Sequence, residues 1–297
     1  MKSTKNRNCE NKNALTFYFE TNVFRDLAEN RIRAADKKLS VLKKNISQGR
    51  IVIVPSFEVF EELVSVLKLN PAVSKKFCQL YDNLVDWDYC LKPMDEILAE
   101  DITSFANTGK EACPFKPVDA SSLFIQSIRA NIYVLPKQLL DDLIDKGKDK
   151  KHTFVKNVLC VSDQFKPKKD KKPLRKKDYE SEFLSFWEPG GYAEKAAEML
   201  VRNSKELSKI RIRGLAEFIK LPTIRLAVGY ILHSKYKQVA DGAVCKNSDF
   251  YDFRHAVIAG AVGNIITQDR KLSNAIDHVP NHSIKVWTLD QFITEFS

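Results

Sequence analysis

No stretch of this chain approaches the ~18 consecutive apolar residues that a membrane helix needs. The chain reads as soluble, with no membrane partner. The opening fifteen residues, MKSTKNRNCENKNAL, are polar and basic with no apolar core, so they do not read as a secretory signal. Residues 1–14 are expected to form a short frayed basic arm. The six cysteines (Cys9, Cys78, Cys90, Cys113, Cys160, Cys245) are scattered, with no C-x-x-C pair and no His at zinc spacing from a Cys pair. That argues against a structural zinc and for reduced thiols in a cytoplasmic protein. Four of the five histidines (His152, His233, His278, His282) show no metal or triad spacing. There is no P-loop, no Gly-rich dinucleotide loop and no G-x-S-x-G elbow, which removes the common nucleotide-binding and serine-hydrolase readings.

What is present is a long chain with a displaced charge. At 297 residues and 44% hydrophobic, it can bury a sizeable core in one large domain or two. The net charge is +10. Between Lys146 and Lys177 there are 13 Lys and Arg against three acids (Asp149, Asp163, Asp170), so this one segment carries the excess. Such a segment suits a polyanionic partner, of which RNA or DNA is the usual one. It equally suits a solvated, disordered loop with no partner, and QFKPKKDKKPLRKK (164–177) fits that description by composition.

The strand–helix rhythm is discontinuous. Residues 15–20 read as a strand, 23–48 as a basic amphipathic helix, and IVIVP (51–55) as a buried strand closed by Pro. SFEVFEELVSVLKL (56–69) reads as a helix ended by Asn70-Pro71. More helix is expected over 72–106, with LVDWDY as a short strand. The rhythm is lost over about 107–222, which holds an Ala-rich helix near 192–210. It returns with helices at 223–239 and 248–263, a strand NIITQD (264–269), and SIKVWTLDQFI (283–293) as a strand entering a last helix. Alternating strands and helices predict a parallel sheet with helices on its faces. The α/β core is therefore expected from 15–106 and 223–297, with 107–222 as a largely helical insertion.

Four acids stand where such a sheet would bring them together. Glu20 follows the apolar run Thr16-Phe17-Tyr18-Phe19 without a break, and Asp269 follows Ile265-Ile266-Thr267-Gln268 in the same way. Either could simply cap the next helix. Glu62 has Val59, Leu63 and Val66 as helical neighbours, unlike Glu58, Glu61, Ser65 and Lys68, which read as a solvated face. Asp252 lies in the first turn of SDFYDFRHAVIAGAVG, where Ser248 or Asp249 is the expected cap. The small residues Ala256, Ala259, Gly260 and Gly263 would let that helix press on the sheet. His255, one turn on, reads as an orienting or packing residue. Sites in open parallel sheets form outside the carboxyl ends of the strands. Four converging carboxylates repel and call for Mg²⁺ or Mn²⁺. One or two such ions ~4 Å apart can activate water and steady the leaving oxygen in phosphodiester cleavage.

At these residues the chain resembles the PIN-domain (PIN-like) nucleases. FYFETNVF resembles the family's first-strand motif, hydrophobic-Asp-Thr-Asn-Val, with Glu20 where the family usually has Asp. IVIVPSFEVFEEL is similar to its second strand and helix, and aligns the family's acid with Glu62. DFYDFRHAVIAGAVGNIITQD is similar to its D-x-x-H-A helix and the strand ending Thr-x-Asp, giving Asp252 and Asp269. KVWTLDQFI is similar to its last strand and helix. The resemblance implies a Rossmann-like three-layer α/β/α fold and a metal-dependent acidic site. It also implies Asn22 and Thr267 as supporting neighbours and Asp249 as an extra acid.

The leading expectation is a Mg²⁺- or Mn²⁺-dependent nuclease acting on RNA rather than DNA. Its metal ligands would be Glu20, Glu62, Asp252 and Asp269, and phosphates would be held by Lys168, Lys169, Lys171, Lys172 and the face Arg202, Lys205, Lys209. Glu20 in place of Asp leaves open a catalytically silent nucleic-acid-binding module. A protein-interaction subunit, whose basic loop docks an acidic or antitoxin-like partner, and a homo-oligomer also remain open.

Overall fold

The computed structural model describes residues 14–67, 71–117, 126, 151–160 and 176–297. The expected arm therefore lies almost entirely outside the described residues, as do Lys168, Lys169, Lys171 and Lys172 and most of the 164–177 loop. In chain order the elements are β1 (Leu15–Phe19), α1 (Thr21–Ala28), α2 (Ala35–Ser47), β2 (Ile51–Ile53), α3 (Phe57–Leu67), α4 (Pro71–Leu84), β3 (Tyr89–Leu91), α5 (Met94–Thr108) and β4 (Phe115–Pro117). A short π-helix, Val155–Leu159, comes next. It is followed by α6 (Lys176–Ser185), α7 (Tyr192–Val201), α8 (Leu207–Arg213), α9 (Leu215–Phe218), α10 (Pro222–Asp241), α11 (Asp249–Val262), β5 (Asn264–Ile266), α12 (Arg270–Asp277), β6 (Lys285–Trp287) and α13 (Leu289–Phe296). Among the described residues, no helix is long and apolar enough to cross a membrane.

The fold is mixed α/β, built on a four-stranded parallel sheet in the order β2-β1-β5-β6. Alternation along β1 sends neighbouring side chains to opposite faces. Phe17 meets Phe292 of α13 edge-on at 5.0 Å between ring centroids, whereas Tyr18 lies 5.7 Å from the His255 ring of α11. Helices thus cover both faces, and all three aromatic residues of β1 are buried. From β1 the chain crosses to β2 on one side, and from β5 it crosses to β6 on the other. The strand order therefore reverses between β1 and β5, and the carboxyl ends of these two strands are where sheets of this kind place their sites. Beyond β2, Leu91 N–H donates to Pro55 O at 3.0 Å, so the antiparallel β3–β4 pair continues that edge.

The helix α10 is buried nearly all round because it serves two cores. Leu226, Ala227, Tyr230 and Ile231 pack into the main core with the sheet. Ile224, Val228, Leu232, Tyr236 and Ala240 pack into a second one with Phe105 of α5, Phe183 of α6, Ala197 of α7, Ile210 of α8 and Phe218 of α9. The described helices of the 107–222 segment are therefore anchored to α5 and α10.

Several boundaries depart from the sequence expectations, each for a local reason. Residues 23–48 form α1 and α2 rather than one helix, with Asn30 and Ala34 at positive φ between them. The described part of α3 runs to Leu67, Asn70 lies outside the described residues, and Pro71 starts α4, where its missing N–H costs nothing. The Ala-rich helix breaks at Arg202 into α7 and α8. The strand read over 264–269 stops at Ile266, and α12 was not anticipated. Gly260 faces α10 rather than the sheet: a Cβ there would stand 2.7 Å from Pro222 O, so its absence sets the α10–α11 approach.

His233 of α10 is buried between the rings of Phe183 and His278. Burial, followed by the charges of His278, Lys237 and Lys271, pushes its pKa down to about 3. A depressed histidine leaves stability intact above its unfolded pKa of ~6.5 and removes it as pH falls toward the folded value, because only the unfolded chain takes the proton. We expect His233→Phe to abolish about 2 kcal/mol of the stability lost between pH 7 and pH 5. Urea unfolding of both proteins at the two pH values measures this. An identical pH slope in the variant would show that His233 is not the acid-labile group.

Candidate functional site

Glu20 decides between the capping and the site readings of an acid at a strand end. It occupies the N-cap position of α1, yet its side chain makes no capping bond. Instead the carboxylate is only 6% exposed, and its Oε2 accepts the hydroxyl hydrogen of Thr267, just past β5. Glu20 N–H donates to Ile266 O at 3.0 Å, which aligns the two strand ends. Asp269 behaves differently. It caps α12, accepting from the backbone N–H groups of Lys271 at 2.7 Å and Leu272 at 3.1 Å. Its own N–H donates to Thr267 Oγ1 at 2.9 Å. One hydroxyl therefore links Glu20 to the loop that carries Asp269. Asn22 Oδ1 accepts from Gln268 N–H at 3.4 Å, linking α1 to the same loop.

The other predicted acids arrive from α3 and α11. Val59 and Leu63, flanking Glu62, are buried, while the Glu62 side chain keeps 19% of its exposure. Glu62 Oε1 lies 2.5 Å from His255 Nε2, and the opposite ring nitrogen, Nδ1, lies 2.5 Å from the Tyr18 hydroxyl. Burial by itself would lower the His255 pKa, but Glu62, with Glu20 and Asp252 behind it, raises it to about 9. Glu62 therefore favours the protonated ring, whose two nitrogens face Glu62 and the Tyr18 hydroxyl. The ring ties β1 to α3 through α11. In the first turn of α11, Asp252 Oδ2 accepts from Lys271 Nζ at 3.0 Å and from the Tyr230 hydroxyl at 3.3 Å. Asp249 also pairs with Lys271, and its Oδ2 accepts Lys246 N–H at 3.0 Å. Ser248 holds the cap position but makes no capping bond.

The electrostatics couple these groups. Burial raises the Glu20 carboxyl to about 7, His255 and the Thr267 hydroxyl oppose the rise, and Glu62 and Asp269 add to it. Asp252 is raised by burial, against the pull of Lys271 and with a push from Asp269. Glu20, Glu62, Asp252, Asp269, Asp249, Thr267, Asn22 and His255 therefore share one connected region at the carboxyl ends of β1 and β5. Among the described residues, no three or more His, Cys, Asp or Glu side chains gather their donor atoms as around a bound ion. Glu62 rests on His255, and Asp249 and Asp252 rest on Lys271. Oxygen-only donors are the type that Mg²⁺ or Mn²⁺ prefers, and in this structure the carboxylates of Glu62, Asp249 and Asp252 are answered by His255 and Lys271 instead.

Two readings need correction. Of the face Glu58, Glu61, Ser65, Lys68, read as solvated, Glu58 and Glu61 are instead tied to Arg254, while the Ser65 side chain and Lys68 lie outside the described residues. Glu58 is fully buried, pairing with Arg254 at 3.1 Å, accepting from Ser56 Oγ at 2.9 Å and from Met94 N–H at 2.8 Å. Glu61 takes the other arm of the same guanidinium at 2.5 Å. The basic face Arg202, Lys205, Lys209 is not one helical stripe either. All three are exposed, but the first two stand in the turn between α7 and α8, and Lys209 pairs with Glu206 at 3.0 Å and Asn107 Oδ1 at 3.1 Å.

Sequence reasoning missed Tyr18, Tyr230, Lys271 and Arg254. Tyr18 carried a readable signal, a phenol on the strand face opposite Phe17 and Phe19. Lys271 carried one too, two residues past an acid that caps a helix. Among the described residues, Cys78, Cys90, Cys113, Cys160 and Cys245 form no disulfide. No protein-family model, curated protein or solved structure matches the chain.

Proposed function

We propose that this chain is a PIN-like nuclease that hydrolyses phosphodiester bonds, of RNA in preference to DNA, with Mg²⁺ or Mn²⁺. The observation that carries the reading is Glu20: a carboxylate buried at the end of β1, making no capping bond and bound to Thr267 across the strand-order reversal. Burial there disfavours the carboxylate, the Thr267 hydroxyl and His255 offset only part of that cost, and a bound cation would offset the rest. In this reading Glu20, Glu62, Asp252 and Asp269 hold the cation, with Asp249 at the rim. When bound, the ion supplies the Lewis acidity and water activation that phosphodiester hydrolysis requires. Thr267 orients Glu20, and Asn22 fixes the loop that leads to Asp269. His255 holds Glu62, and Tyr18 holds His255. Arg202, Lys205 and the lysines of 164–177 would contact backbone phosphates, so affinity should fall steeply with salt.

The test is incubation of the purified protein with single-stranded RNA and single-stranded DNA in Mn²⁺, Mg²⁺ or EDTA, beside an Asp252→Asn/Asp269→Asn double variant. We expect cation-dependent cleavage of RNA by the wild type and a loss of at least ~100-fold in the variant. Cleavage that survives in the variant would place the chemistry elsewhere. A second reading is favoured by the carboxylates already resting on Lys271 and His255, together with Glu20 in place of Asp. It is a catalytically silent nucleic-acid-binding module, and salt-sensitive RNA binding without cleavage would establish it.

A further inference from the structure

One ammonium group reaches much of the site. Lys271 Nζ pairs with Asp249 Oδ1 and, at 3.0 Å, with Asp252 Oδ2. Its backbone N–H is held by Asp269 Oδ1 at 2.7 Å. The Lys271 side chain is 54% exposed, whereas those of Asp249 and Asp252 are 6% and 15% exposed. The ammonium therefore sits on the solvent side of two sunken carboxylates, and the Asp269 cap fixes the backbone from which it hangs. Four methylenes let such a head group leave while its backbone stays. Tyr230, on the same oxygen of Asp252 at 3.3 Å, would keep that carboxylate in place meanwhile.

Resting on the metal-dependent reading of this site, we infer that Lys271 is a tethered competitor for the divalent cation: its ammonium occupies the Asp249–Asp252 pair and sets the affinity with which the site takes metal. A lysine that only braced α12 against α11 would need one carboxylate. This one neutralises two that have few alternatives, and a divalent ion must displace it from Asp252 to use that oxygen. The competition is limited by solvent, since half of the side chain is wet. An opposite charge at hydrogen-bond distance shifts a carboxylate's preference by about one to three powers of ten, and partial exposure favours the lower end.

Mn²⁺ binding to the full chain, followed by the electron paramagnetic resonance signal of the free aqua ion, tests this without any turnover. K271M is expected to bind Mn²⁺ roughly tenfold tighter than the wild type, K271Q likewise, and K271R no tighter than the wild type. In EDTA, K271M should melt below the wild type, and Mn²⁺ should raise its Tm by more than it raises that of the wild type. Equal or weaker Mn²⁺ affinity in both K271M and K271Q would overturn the inference and leave Lys271 an ordinary ion pair. In that case, wild-type binding that disappears in D252N/D269N would keep the metal site itself intact. Absence of Mn²⁺ binding in every protein, or binding that survives D252N/D269N, would remove both.

Discussion

Replacing Arg254 with Met will lower the unfolding free energy by about 3–5 kcal/mol and the Tm by roughly 6–15 °C. The guanidinium answers two glutamates at once, Glu58 at 3.1 Å and Glu61 at 2.5 Å. It is 5% exposed, and Glu58 is wholly buried. Burial alone would lower the Arg254 pKa, but Glu58 and Glu61 raise it. Met fills much of the same volume, so the loss will come from stranding the Glu58 charge rather than from a cavity. Putting Glu58→Gln and Glu61→Gln into the Met background should therefore return part of the loss, because the stranded charges become neutral amides. Chemical denaturation of the single, double and combined variants measures the coupling. If Arg254→Met costs less than ~1 kcal/mol, Glu58 has found another partner and the network does not tie α3 to α11.

That network shows where sequence reading stopped. Along α3 the helical period separates Glu62 from Glu58 and Glu61, and the buried Val59 and Leu63 bear out Glu62's apolar surroundings. The same period makes Glu58 look like a surface residue, because local spacing cannot register a partner 196 positions away. The strand at Thr16-Phe17-Tyr18-Phe19 was legible as a buried apolar run, but its division into two faces, which sets Tyr18 toward His255, was not read. The first turn of α11 was legible, since helix register puts Asp252 beyond the sheet's end. The end of β5 was not. Thr267 to Asp269 form a loop and a cap rather than strand, because Asp269 satisfies the free N–H groups of α12. With α12 unread, Lys271 had no place in the site. His255 was read as an orienting residue, but its partners, and the pairing of Lys271 and Arg254 with the acids, became visible only once distant segments were packed together.

Glu20→Gln should separate stability from chemistry. The amide keeps the shape of the side chain and can still accept from the Thr267 hydroxyl, so the site should keep its form. It removes a buried negative charge that burial, Glu62 and Asp269 disfavour, at the cost of the attraction to His255. We expect the metal-free variant to be as stable as the wild type or up to about 1–2 kcal/mol more stable, as when a strained functional group is made inert. Under the nuclease reading, its cation-dependent cleavage should fall by at least ~100-fold, because a neutral amide is a far weaker partner for a hard cation. Glu20→Asp is the complementary change. It retains the charge but withdraws the carboxylate by one methylene, away from Thr267 and toward β1. Denaturation in EDTA and cleavage of single-stranded RNA, run on the same preparations, measure both halves. A Gln variant that is less stable and equally active would make Glu20 a structural acid. A variant that gains stability while losing cleavage would show why this strand ends on a carboxylate: the fold tolerates the charge there because the reaction uses it.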